Sequence, residues 1–167
     1  MVCRRGRASG TIALFGLAGG FVGTILMDLV MVSTFVLVGV PGDTFFSMVG
    51  ERLGGGPALG LATHSLIGLT GGLVYSLAAS SSGKLRAGTV TRGVWFGFGA
   101  GALTIPLGRI PMAVWLGAPI TGVLSFAVLP HLVRGTVMGG CVGYWLNAFG
   151  AGNMFKARVG FGEEEFE

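Results

Sequence analysis

The chain has 167 residues, 51% of them hydrophobic and only 11% charged, with a mean hydropathy of +0.78. A soluble domain carries about 25% charged residues, so a soluble fold with polar helix faces is excluded and an all-α polytopic membrane protein is expected. The net charge of +4 does not mark a nucleic-acid binder, because the basic residues flank apolar runs in the manner of membrane topology.

The first element is a span over about 10–40, apolar except for Asp28. Its basic start, MVCRRGR, resembles a signal peptide. The apolar run is longer than a signal peptide's core and lacks a small-residue cleavage site, which predicts an uncleaved anchor helix. GGGP at Gly54 to Pro57 lacks the Lys and Ser/Thr of a phosphate-binding loop and reads as an outer turn. The second span covers about 57–80, with Pro57 suited to a first helical turn. Ser80 to Gly83 reads as a loop. The third span covers about 90–108. Pro106, Pro111 and Pro119 then interrupt 109–119, leaving a loop, an interfacial helix or a re-entrant piece open there. The fourth span covers about 125–149, within a transmembrane domain of 1–155. A charged tail, 156–167, is expected to be solvated.

Arg4, Arg5, Arg7, Lys84, Arg86, Arg92, Lys156 and Arg158 fall on one side of this arrangement. The positive-inside rule makes that side cytoplasmic and puts both termini there. Cys3 and Cys141 are far apart and have no zinc or redox spacing, so no disulfide between them is expected.

Glycines recur every four residues in all four spans. Gly16 and Gly20 mark the first span, with Gly19 and Gly23 beside them. Gly68 and Gly72 mark the second, Gly93, Gly97 and Gly101 the third, and Gly135, Gly139 and Gly143 the fourth. Small residues at this spacing are the close-packing pattern of membrane helices. The two histidines, His64 and His131, each stand four residues before such a ladder. The chain therefore reads as two duplicated helical hairpins in parallel, which places both histidines at one depth, about 8–10 Å below the outer boundary at 1.5 Å per residue.

Asp28 is the only carboxylate within a predicted span, and no Asp or Glu lies between Glu51 and Glu163. Intramembrane charges face the interior with a partner. Arg134 is the natural partner for Asp28, with His64, His131 and Arg109 as alternatives. Asp28, His64, His131, Arg134 and Arg109 thus form a candidate cluster, read as a structural ion pair or as a ligand or proton site. Two imidazoles across a pseudo-twofold axis also admit a bis-histidine b-type haem. Neither another metal nor an enzyme is expected, since HExxH, CxxC and nucleophile-elbow motifs are missing from the sequence.

AGGFVGTILMDLVM (Ala18 to Met31), HSLIGLTGGLVY (His64 to Tyr75) and HLVRGTVMGG (His131 to Gly140) resemble segments of uncharacterised small four-helix membrane proteins of archaea and bacteria. Arg134 stands where such helices often have an uncharged residue. The resemblance implies a prokaryotic plasma-membrane location and brings no established activity. The leading expectation is a non-catalytic accessory subunit of a larger membrane complex, respiratory or otherwise oxidoreductive. Its partners would be lipids and other transmembrane subunits. A small transporter or channel working through Asp28 and the histidines, and a haem electron-transfer subunit, are the alternatives.

Overall fold

The computed structural model describes residues 3–81 and 89–148, with the side chains of 3–9, 81, 123 and 124 left aside. The expected tail 156–167 and Ser82 and Gly83 of the expected loop lie outside the described residues, while Ser80 and Ser81, expected in that loop, end a helix instead. The described chain is helical between short turns, with no strand. The helices are α1 (Cys3–Leu37), α2 (Thr44–Arg52), α3 (Pro57–Ser81), α4 (Val90–Thr104), α5 (Ile110–Leu116) and α6 (Ile120–Ala148), with a π-helical turn at Ile105–Arg109.

Three helices are long and apolar enough to cross a membrane: α1 over Gly10–Leu37, α3 over Pro57–Ser80 and α6. Four were expected. The third expected span is interrupted as a regular helix, because α4 stops at Thr104 after 15 residues, about 22 Å against a hydrocarbon core of about 30 Å. The helical path nevertheless runs on through the π turn into α5, up to Leu116. Segment 109–119 is therefore mostly helix. The wide π turn takes in Pro106, which has no N–H to give a regular ladder, and Pro111 falls in the first turn of α5, where no such bond is needed. The stop comes at Gly117, a left-handed cap at φ +69°.

The expected outer loop between the first two spans also holds a helix. Gly39, at φ +78°, turns the chain back along α1, and α2 then packs on the start of α3. A side chain at Gly60 would land on the Phe46 carbonyl, and one at Gly50 on the Gly56 carbonyl. This backbone-to-backbone approach needs glycine at both places.

The glycine ladders set the rest of the packing. Gly16 and Gly20 of α1 meet Gly68 and Gly72 of α3, while Gly93, Gly97 and Gly101 of α4 meet Gly135, Gly139 and Gly143 of α6. In the first pair, a methyl on Gly20 would sit 2.9 Å from the Gly68 carbonyl oxygen. The second pair matches the first position for position: Gly97 faces Gly135 and Gly139 as Gly20 faces Gly68 and Gly72. The two hairpins join along α1 and α6, where Gly19 and Gly23 lie against Met138, Val142 and Arg134. A core of Met31, Phe45, Phe46, Val49 and Leu116 caps one end of the bundle. Arg52 of α2 completes that cap by donating to the Leu116 carbonyl at 3.0 Å, one of the oxygens α5 leaves free at its C-terminus.

Candidate functional site

The register of the ladders decides which polar groups meet. With Gly20 against Gly72 and Thr24 against Gly68 in antiparallel helices, Asp28 falls one turn farther along α1 and His64 one turn back along α3. Asp28 Oδ1 and His64 Nδ1 come to 2.9 Å, without the alignment of a hydrogen bond. The histidine is 6% exposed and the carboxylate side chain 16%. Phe45 and Phe46 of the returning helix α2 stand edge-on to the imidazole at 5.2 and 5.8 Å between ring centres. His64 is therefore the partner of Asp28, and the pairing of Asp28 with Arg134 is corrected: opposite charge favoured it, but helix register overrides it.

His131 has a different partner. Its Nδ1 lies 2.8 Å from the Ala127 carbonyl, which accepts only, so Nδ1 carries the proton. Nε2 is then free to accept from Arg109 Nε at 3.0 Å. Both ring nitrogens are engaged, which fixes the tautomer. Arg109 also reaches Met112 Sδ at 3.6 Å and lies over the Phe45 ring at 4.8 Å. Cation–π contacts of this length are favourable where water is scarce. The π turn matters here because it carries Arg109, 5% exposed, onto the histidine.

Arg134, at the midpoint of α6, donates from Nη2 to the Gly68 carbonyl at 2.9 Å and so ties α6 to α3. Its Nε is buried with no acceptor. The space for the guanidinium comes from Gly71, where a methyl would stand 2.5 Å from Nη2.

Of the five predicted cluster residues, Asp28 meets His64 and Arg109 meets His131, while Arg134, deeper in the bundle, bonds the Gly68 backbone. Two guanidinium groups share this region with a single carboxylate. Sequence reasoning overlooked Gly71, Met112 and the aromatic wall that α2 builds around His64. Gly50 and Gly60, small residues near each end of the α2 to α3 turn, were the available sign of that contact. No group of three or more His, Cys, Asp or Glu able to hold a metal ion occurs among the described residues. No family model matches the chain, and no curated protein and no solved structure matches it either.

Proposed function

We propose that this protein is a non-catalytic accessory subunit of a larger complex in the prokaryotic plasma membrane. The observation that carries the reading is the engagement of the reactive side chains by the fold itself. His131 uses both nitrogens on Arg109 and Ala127, and His64 is held between Asp28 and two phenylalanines. Such pairs cross-link helices, which is the usual work of polar groups buried in a membrane bundle. In this reading α4, the π turn and α5 together form a fourth crossing, and both termini are cytoplasmic. An electron-transfer or other oxidoreductase complex remains the preferred assembly. Native electrophoresis of membranes extracted in mild detergent tests the proposal. Co-migration with other transmembrane subunits is expected, and a chain that runs alone refutes it.

A second reading, a small proton-coupled transporter, draws on the Asp28 to His64 contact, where two titratable groups meet at 2.9 Å without a fixed hydrogen bond. Proton flux into proteoliposomes that is lost in Asp28→Asn supports it, and flux indifferent to that change removes it. A bis-histidine haem would require His131 to give up one of its two partners. A reduced-minus-oxidised spectrum without a b-type α-band disposes of that alternative.

A further inference from the structure

The two hairpins are alike, yet their two mutual seams differ. By the matching of the ladders, α4 corresponds to α1 and α6 to α3. The seam of α1 with α6 should therefore have a counterpart between α4 and α3. The first seam is closed, with Gly19 and Gly23 against the α6 backbone. The second is open: a groove of about 850 Å³ runs between α3 and α4 with α6 as its floor. The residues matching Gly19 and Gly23 are Phe96 and Ala100, and both line the groove. Phe96 in place of a glycine holds α4 away from α3. Toward one end, Tyr75 Oη still spans the gap to the Gly93 carbonyl at 3.0 Å.

The groove is largely apolar: the hydroxyls of Thr70, Tyr75 and Thr104 on its walls are spent on backbone carbonyls, and Arg134 is its one charged lining residue. Arg134 is 8% exposed, and its Nε has no acceptor. The membrane-embedded cluster holds Arg109 and Arg134 against Asp28 alone, so one positive charge is unmatched by side chains of the described bundle. Buried cations in a membrane pair with opposite charges or with backbone carbonyls; Arg134 has the Gly68 carbonyl on Nη2, and its free Nε favours an added anion. The volume lies in the range of small-molecule sites, about 300–1,000 Å³.

We propose that the α3/α4 groove binds a single-chain anionic amphiphile, a long-chain carboxylate whose head meets Arg134 and whose tail lies along Gly99, Phe96 and Val74. The depth argues for this class. Arg134 sits halfway along α6, far below the level at which a phospholipid keeps its phosphate. A carboxylate is small enough to be carried to that depth and is matched in geometry by a guanidinium. The proposal is independent of whether the protein works as a subunit.

The test is equilibrium binding of radiolabelled palmitate to the full-length protein in nanodiscs, with hexadecanol as the uncharged competitor. Gly99→Leu fills the groove from a position with nothing within 4 Å of the new side chain's first atom, and Gly10→Leu is an equally open change outside it. Saturable binding of palmitate is expected, retained in Gly10→Leu and weakened about tenfold or more in Gly99→Leu and in Arg134→Met. Hexadecanol should compete at least about tenfold less well than unlabelled palmitate on the unaltered chain, and that preference should vanish in Arg134→Met. Absent saturable binding, equal binding by Gly99→Leu, or equal competition by hexadecanol overturns the proposal. Cross-linking of Gly99→Cys to another polypeptide in native membranes also overturns it, since a partner helix then fills the groove. Should Arg134→Met fail to fold, the Gly99→Leu variant and the hexadecanol comparison still decide.

Discussion

Gly97→Ala is the sharpest test of the ladder that joins α4 to α6. The new methyl would fall on the Gly135 carbonyl oxygen and stand 2.8 Å from Gly139 Cα and 3.0 Å from the Gly135 carbonyl carbon. Carbon atoms in ordinary contact are about 3.5–4.0 Å apart, so the helices must separate by about 1 Å. A separation of that size forfeits roughly a quarter to a half of each dispersion contact along the seam. The Gly93 to Gly139 and Gly101 to Gly135 approaches open with it, because the backbones are stiff. Overpacking of this kind costs about 1–3 kcal/mol. Alanine also favours helix over glycine by up to about 1 kcal/mol, which opposes the loss. Gly99→Ala supplies the control: two residues away, nothing lies within 4 Å of the added atom. It should be neutral or slightly stabilising through propensity alone. Reversible unfolding in mixed dodecyl maltoside and dodecyl sulfate micelles, followed by circular dichroism, should separate the two variants by the overpacking cost alone, about 1–3 kcal/mol, since the propensity gain is common to both. Equal stabilities would show that the α4/α6 seam is not set by glycine contact and would refute the reasoning.

His131→Phe removes the acceptor of Arg109 Nε and should lower stability by about 1–3 kcal/mol, with partial recovery in His131→Gln; the same unfolding assay reads both. Asp28→Asn leaves the two guanidinium groups with no carboxylate and should cost about 3 kcal/mol or more. Adding Arg134→Met to it should restore part of that loss, whereas additive losses would mean that the charges are not coupled. Orientation is checked with cysteines at Asp43 and Thr89, both exposed, after Cys3 and Cys141 are replaced. An impermeant maleimide applied to intact cells should label the first and reach the second only after permeabilisation.

The ladders were legible because glycine repeats at a helical period are a backbone property, written directly in the chain. Gly16, Gly20, Gly68 and Gly72 alone name the faces of α1 and α3 that meet. Pairing those ladders in antiparallel register brings Asp28 to within one turn of His64, and the seating of Thr24 on Gly68 sets the final turn. The expectation of Arg134 went astray because it weighed charge without register. The course of 109–119 was hidden for another reason. Three prolines normally end a helix, and only a π turn, which no local pattern announces, lets the path continue and delivers Arg109 to His131. Helix α2 was missed because its nine residues are too few to display a period. Its position depends on a distant contact with Gly60.

The unequal seams have a mechanical consequence. Each hairpin is stiff along its own ladder, α1 with α3 and α4 with α6, and the two are joined along the α1/α6 line. The molecule is therefore two covers on one spine, with the groove as the gap between their free edges. The opening angle is a single degree of freedom. Arg134 rides on the spine and reaches across to Gly68 on the opposite cover, and Tyr75 Oη bonds the Gly93 carbonyl across the free edges, so that angle is held by two side chains. Whatever draws Arg134 away from the Gly68 carbonyl removes one of these two ties, leaving Tyr75 as a hinge at one end, and the width of the gap near Arg134 becomes a readout of that side chain's state.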